Sequence, residues 1–269
     1  MVSSECKTEQ LIKLDSNYGI TNVSLNNPAK RNALSKEMII ELVKALKAIS
    51  SDASQKVVVL KGEGNLFCSG ADLDWMRSGT NQDVKENISD AKLFFDLYTY
   101  MSNFPKPIII WVEKFAFGGA TGLLACADYV VANKDAVFGY PEVKLGLVPA
   151  TIAPFILRKT GLSLTQAYMM SGETFSAKEA KRMGLIHEYC KTSDSEDRIS
   201  VLSQTFAKNS GEAMMASKHL LNKIVDRMEI DGTMEQLCCQ SIASARVSNE
   251  GQEGVNAFFE KRNPNWNKQ

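Results

Sequence analysis

The sequence predicts an α/β protein in which strand, strand and helix recur as a unit, followed by a C-terminal region that is mostly helical. Three observations lead there. Two apolar runs, KVVVLK at 56–61 and IIIWV at 108–112, read as strands buried on both faces. Each is followed by a glycine turn and then a helical stretch: Gly70–Ala71 after the first run and Gly118–Gly119 after the second. From about residue 199 onward the apolar spacing is helical, with little strand. Such units can stack into a spiral whose turns bury one another. The expected division is a spiral core over 1–198 and a helical region over 199–269.

Leu11 to Leu14 and Gly19 to Leu25 alternate apolar and polar around Asp15–Ser16–Asn17, which predicts a hairpin turning there. NNPAKRNAL (26–34) is a loop, and Ser35 stands as an N-cap before Ile39, Leu42, Val43, Leu46 and Ile49 at helical spacing. After the 56–61 strand, GEGNLFCSGADLDWM (62–76) has the glycines of a turn whose backbone faces a ligand, with Asp72 as the cap of a short helix. Residues 77–90 are polar and weakly patterned, which predicts a mobile loop. Ala91 to Met101 is a helix, stopped by Pro105 and Pro107. After the 108–112 strand and the Gly118–Gly119 turn, Thr121 to Ala127 starts a helix with small side chains for close approach. Tyr129 to Ala132 and Ala136 to Gly139 read as strands. Helices follow at Leu164–Met170, Ala177–Met183, Ile199–Ala207, Glu212–Val225, Met234–Ala245 and Asn249–Phe259.

Lys plus Arg and Asp plus Glu are both 31 among 269 residues, so the chain lacks the excess charge of a protein that tracks phosphate backbones. A local basic patch could still grip a small anion. The six cysteines are scattered without a CxxC pair, which points to free thiols in a reducing compartment. The first ten residues lack the apolar core of a secretory signal, and every apolar run falls short of the ~18 residues that span a bilayer. A cytoplasmic protein with no membrane or nucleic-acid partner is expected.

Two glycine turns after buried strands leave backbone N–H groups outside the sheet, near helix N-termini that favour negative charge. They read either as ordinary tight turns or as two donors converging into an oxyanion hole. Glu142 lies among Tyr140, Pro141, Val143, Leu145, Leu147 and Val148. It reads either as a surface glutamate or as an acid/base whose pKa is raised by apolar surroundings. His187 and His219 have no relay partner and no second histidine at ligand spacing, and are expected to be structural or surface residues. Asp72 and Asp74 read as caps rather than metal ligands, so no metal is expected. Lys30–Arg31 is a solvated basic pair or a phosphate contact. Trp75, Met76, Tyr98, Phe138 and Phe155 are core residues or the wall of a pocket.

NNPAKRNAL (26–34), FCSGADL (67–73), FAFGGATGL (115–123), YPEVKLGLVPA (140–150), AKEAKRMGLIHE (177–188) and EGQEGVNAFFEKRNPNW (250–266), in this order and spacing, resemble the enoyl-CoA hydratase/isomerase (crotonase) superfamily over nearly the whole chain. Within it, SGADLDWM, AFGGATGL, LVPATIAPF and EGQEG look most like 3-methylglutaconyl-CoA hydratases of leucine breakdown. The resemblance implies a crotonase (ClpP-like) spiral of ββα units with a C-terminal helical trimerisation region, giving a homotrimer or a dimer of trimers. It implies no bound cofactor, coenzyme A entering as part of an acyl-CoA substrate. It assigns the oxyanion hole to the N–H groups of Ala71 and Gly119, and the acid/base role to Glu142. It places coenzyme A along Ala29, Lys30, Arg31 and Ala33 and along Ser69, Gly70, Asp72 and Leu73, with Lys261 reaching a neighbour's site.

One departure matters. Hydratases of the superfamily usually carry two glutamates, and here Gly122 stands in place of the first, leaving a gap opposite Glu142. The resemblance therefore implies reversible syn hydration of a 2-enoyl-CoA, with 3-methylglutaconyl-CoA as one substrate. A lone carboxylate also suits a Δ3,Δ2-enoyl-CoA isomerase, a decarboxylase, or a non-catalytic thioester-binding member.

Overall fold

In the computed structural model, which describes residues 10–79, 83–227 and 248–267, the strands form two sheets. The larger has the order β1-β2-β3-β4-β6-β9, with β1 (Ile12–Asn17), β2 (Ile20–Leu25), β3 (Val57–Gly62), β4 (Ile108–Val112), β6 (Tyr129–Asn133) and β9 (Glu188–Cys190). Only the β1–β2 pair is antiparallel. The smaller has β5 (Phe115–Phe117), β7 (Val137–Gly139) and β8 (Thr174–Ser176) in that order. The predicted helix Met234–Ala245, and Cys6, Cys238 and Cys239, lie outside the described residues.

The two apolar runs are unbroken because both faces of their strands are covered. Val58 and Leu60 of β3, with Ile108 and Ile110 of β4, enter the main core with Met38, Ile39, Leu42 and Leu46 of α1 (Lys36–Ser51). Val57, Val59 and Ile109 point the other way and meet Leu202 of α8 (Ser195–Ala207), flanked by the half-buried Ile199 and Phe206. Parallel strands buried on both faces need apolar residues at every position.

The strand, strand, helix unit is present. β4 and β5 lead to α4 (Gly119–Cys126), and β6 and β7 lead on to α5 (Ala153–Thr160). The first turn passes from β3 through a single bridge, Cys68 to Ala116, before α2 (Leu73–Ser78) and α3 (Val84–Ser102). Each turn thus adds a strand to the large sheet and a short one beside the small sheet. Three helices, α6 (Leu162–Ser171), α7 (Ala177–Met183) and α9 (Gly211–Arg227), and a fourth, α10 (Asn249–Phe259), complete the described chain. No helix among the described residues is long and apolar enough to cross a membrane.

Two expectations change, and several short elements are added to those expected. The first hairpin turns at Tyr18–Gly19, with Asn17 paired to Ile20 and φ of 49° and 76° at the two turn residues. The polar residues Asp15–Asn17 continue an exposed edge strand, where solvent replaces a core contact. Much of the loop predicted over 77–90 is helix, because α3 begins at Val84. Its first turns face solvent and so lack an apolar period, but a reciprocal cap between Asp83 and Glu86 starts the helix. Helix α5 carries Pro154 in its first turn, a position that proline tolerates. The three-residue strands β5, β8 and β9 are too short for periodicity to show.

One side chain ties the early loop to the strand-to-turn segment that follows β3. Asn32 is fully buried, with a left-handed backbone (φ 52°). Its Nδ2 donates to the carbonyls of Glu63 (3.0 Å), Leu66 (3.2 Å) and Phe67 (3.1 Å), and its Oδ1 accepts from the Asn27 N–H (2.8 Å). Alanine would leave these backbone groups unpaired and occupy a disfavoured φ. Asn32→Ala is therefore expected to lower stability by about 2–4 kcal/mol in urea denaturation, and a loss under ~1 kcal/mol would show that water replaces these bonds.

Candidate active site

Two glycines bring the turns together. Gly70 has φ 96°, and a Cβ there would lie 2.5 Å from the Phe117 carbonyl oxygen. Gly118 has φ 48°, and a Cβ there would lie 2.9 Å from Glu142 Oε1. Only hydrogen in place of a side chain lets the Phe117 carbonyl and the Glu142 carboxyl group come this close to the two turns. The result is that the Ala71 nitrogen lies 3.6 Å from the point where a Gly119 Cβ would stand.

The neighbours of these two amides are committed. Leu34 N–H donates to the Gly70 carbonyl (2.7 Å) and Asp72 N–H to the Leu34 carbonyl (3.1 Å), so the ladder passes on either side of the Ala71 N–H. Gly118 N–H donates to the Gly139 carbonyl (3.0 Å), and Gly119 opens α4. Neither the Ala71 nor the Gly119 amide has an acceptor among the described residues. Two adjacent unspent donors, one at a helix N-terminus, suit an oxygen on which negative charge develops.

Glu142 follows Pro141 in a 3-10 turn, Pro141–Leu145, on the Gly118 side of this pair. Its Oε2 is buried and has no hydrogen-bond partner. Burial pushes its pKa above the ordinary carboxylate value, partly offset by a bond from its own backbone N–H. Tyr140 hydroxyl is also buried without a partner, and burial, with the nearby Glu142 charge, raises its pKa. A carboxyl group with a raised pKa beside two unspent amide donors is an arrangement suited to enolate chemistry.

The sequence profile of the enoyl-CoA hydratase/isomerase family matches residues 15–269. The chain belongs to this family. It is 30% identical to the 2,3-dehydroadipyl-CoA hydratase of Escherichia coli over 91% of this chain and 93% of that protein. It is 29% identical to the mitochondrial enoyl-CoA hydratase of Pongo abelii, over 92% and 83%. A crystal structure of an enoyl-CoA hydratase from Shewanella pealeana superposes with a TM-score of 0.91 at 36% identity, over 96% of both chains. The spiral is thus the crotonase fold, and the protein is an enzyme of the enoyl-CoA hydratase/isomerase family.

The gap expected at Gly122 is filled. A Cβ there would stand 2.6 Å from Tyr98 Cζ, 2.7 Å from Tyr98 Cε1 and 2.8 Å from Ile152 Cγ2. Tyr98 is fully buried, and its hydroxyl donates to the Gly119 carbonyl at 2.7 Å. An aromatic wall continues from it: Phe94 lies 6.3 Å from Tyr98 between ring centroids, and Trp75 stacks on Phe94 at 5.2 Å. Phe155 meets Tyr98 at 5.5 Å. Of the five aromatic or methionine candidates, Tyr98 and Phe138 are buried, whereas Trp75, Met76 and Phe155 are half-buried.

The structure joins the two segments assigned to coenzyme A. Ser69 N–H donates to the Arg31 carbonyl (3.1 Å), and Lys30 Nζ reaches Asp72 (3.3 Å) and Asp74 (2.6 Å). Lys30 therefore sits in an ion pair, and its pKa is raised by Asp74 and Asp72. Asp72 caps α2 by accepting from the Trp75 N–H, but Asp74 is no cap; it lies in the first turn, exposed, against Lys30. Ala29, Arg31 and Leu73 are exposed, Ser69 is half-buried, and Ala33, Gly70 and Gly122 are buried. Lys261 is exposed beyond α10, and no bond among the described residues joins it to these segments. The chain after it docks elsewhere: Trp266 Nε1 donates to the Lys208 carbonyl and Lys56 Nζ to the Trp266 carbonyl.

His187 is structural. Its Nδ1 accepts from the Val130 N–H (2.9 Å), its ring stacks on Tyr129, and burial lowers its pKa to about 4. His219 is exposed. Cys68, Cys126 and Cys190 are free thiols, and burial pushes Cys68 and Cys126 to about 12. Sequence reasoning does not single out Asn32, Phe94 or Tyr140. The four-residue spacing of Phe94 and Tyr98 was the one available sign of a shared helix face.

A carboxyl group raised on folding holds its proton longer in the folded than in the unfolded chain. Its contribution to stability therefore falls as pH rises from 4.5 through the folded pKa, and the full penalty is present above that. Glu142→Gln removes the penalty. The variant is expected to melt at a higher temperature than the parent at pH 7, with the difference shrinking toward pH 4.5; equal melting temperatures at both pH values would contradict a desolvated carboxylate.

Proposed function

We propose that the protein is a hydro-lyase that adds water reversibly, in syn geometry, to the double bond of a 2-enoyl-CoA. The observation that carries this reading is the placement of a desolvated Glu142 beside the unspent amides of Ala71 and Gly119. The thioester oxygen accepts both N–H groups. Glu142 takes a proton from water, the hydroxide attacks C3, and the C2–C3 π pair moves toward the thioester oxygen as an enolate. Glu142 then returns the proton to C2. Both amides bind the enolate oxygen more strongly than the ground-state carbonyl, which is the condition for acceleration. One carboxylate serves both transfers.

In the same reading the adenosine and phosphate end of coenzyme A runs along Ala29, Lys30, Arg31 and Ala33, and the pantetheine arm along Ser69, Gly70, Asp72 and Leu73. Lys30 leaves or shares its ion pair with Asp74 when a phosphate arrives. Gly122 and the aromatic wall face the acyl group, and 3-methylglutaconyl-CoA of leucine breakdown is the preferred substrate on motif resemblance. Residues 199–269 form the oligomerisation region against a 1–198 core, and Lys261 serves a neighbouring subunit. Light scattering at the mass of a trimer or hexamer checks the assembly, and a monomer contradicts it.

A second reading has a specific support: Tyr98 and Ile152 occupy the place of a second carboxylate. Isomerisation of a 3-enoyl-CoA needs only one base, which removes a proton at C2 and returns it at C4. The two reactions separate by ultraviolet absorbance and product chromatography. Hydration is expected to bleach the conjugated thioester of crotonyl-CoA or 3-methylglutaconyl-CoA and yield a 3-hydroxyacyl product. Isomerisation instead creates the conjugated band from a 3-enoyl-CoA without that product. No bleaching with either 2-enoyl substrate sinks the hydratase reading. Glu142→Gln is expected to lower turnover by roughly 10²–10⁴-fold with coenzyme A affinity nearly unchanged, and a fall under ~10-fold means that another group moves the proton.

A further inference from the structure

The donor amide of Gly119 lies in the most glycine-rich stretch of the site. It belongs to a Gly118–Gly119 pair, with Gly122 a turn further on, and no side chain of its own restrains it. An oxyanion donor works by being aimed before charge develops, so freedom at this point costs rate. Within α4 the peptide that carries this N–H is held at its carbonyl, on Gly118, by the Thr121 N–H (2.9 Å) and the Thr121 hydroxyl (2.6 Å), so an outside contact adds restraint on the next peptide, from Gly119 to Ala120.

We propose that Tyr98 is the positioning residue that aims the Gly119 amide. Its hydroxyl donates to the Gly119 carbonyl (2.7 Å) and stands 3.1 Å from the point where a Gly119 Cβ would be. The same ring presses on Gly122, whose Cβ position is 2.6 Å from Cζ. One side chain from α3 therefore touches the first turn of α4 at two residues spaced three apart, which lie on one helix face. Tyr98 is itself held. It is fully buried, with Phe94 and Phe155 against it, so the restraint it passes on is rigid. Burial keeps the phenol neutral and its proton available, with Cys126, Cys68 and Glu142 adding to the effect. The aromatic ring at the place of a second carboxylate thus has a task of its own: it stiffens the donor.

This role deepens the hydratase reading and rests on it for its consequence in turnover, but its structural core is testable without turnover. The first measurement is hydrogen–deuterium exchange over 117–123 in the ligand-free protein. Tyr98→Phe keeps the ring and loses the donor, and is expected to speed exchange there by ~3–10-fold, the size of one net hydrogen bond, with other segments unchanged. The second is the carbonyl stretch of bound ¹³C-labelled butyryl-CoA, a saturated thioester that cannot react. Its shift to lower frequency is expected to shrink in Tyr98→Phe, with kcat on crotonyl-CoA down ~3–10-fold and KM within about twofold. A Tyr98 substituted with 3-fluorotyrosine retains a donor of the same shape and is expected to restore all three readouts; it also serves if Tyr98→Phe does not fold. A side chain that merely fills the core would lower the melting temperature and leave the exchange at 117–123 and the carbonyl stretch where they were. That result overturns the proposal. Failure of the parent protein to hydrate any 2-enoyl-CoA would overturn the hydratase reading instead, and the exchange arm would still decide on Tyr98.

Discussion

The close approach of two backbone turns, at Gly70 and at Gly118, is the constraint on which the rest of the site depends. A Cβ on Gly70 would meet the Phe117 carbonyl oxygen at 2.5 Å, so these segments touch through bare main chain. The parallel bridges from Leu34 to Ala71 and from Cys68 to Ala116 knit the same place from either side. Sheet formation normally consumes amides. Here the ladders satisfy Leu34, Asp72 and Gly118 and pass over Ala71 and Gly119, so the two unspent donors are a product of the spiral's geometry. Each turn of the spiral adds a strand to the large sheet, which sets the next turn beside the last and brings residues far apart in sequence within ångströms.

The carboxylate beside these donors works against stability. Glu142 is held where its Oε2 has no partner, and its charged form is disfavoured by burial. Such a group costs folding free energy, and its proton is held above the ordinary carboxylate range. The neighbouring Tyr140 hydroxyl is also buried, so this corner holds two polar atoms without a partner among the described residues.

Support for the site comes from side chains that bridge segments distant in sequence. Asn32 gathers three carbonyls of the segment leading to Ala71, and Lys30 bridges to the acidic first turns of α2. Tyr98 buttresses α4 from α3. These contacts span sequence gaps of tens of residues.

Much of the fold was legible in the chain alone. The unbroken runs before Lys61 and Glu113 announced strands covered on both faces, because burial on each side leaves no position for a polar residue. Ser35 and Asp72 announced helix starts, because a short oxygen-bearing side chain satisfies a free amide locally. The glycines of both turns, and Glu142 in its apolar setting, marked the candidate site. What local pattern carries no trace of is partnership. The three-residue strands owe their existence to neighbours across the two sheets, and α3 begins in a polar stretch because a cap, not a core, starts it. Gly122 reads in sequence as an absence, yet the ring of Tyr98 from another helix occupies that place. Sequence by itself determined which residues could form donors, caps, strands and a proton carrier, since those properties belong to the residue and its near neighbours. Only the tertiary structure decided which donors remain unspent, that Glu142 is desolvated, and what stands against it, since these depend on segments that meet only when the spiral closes.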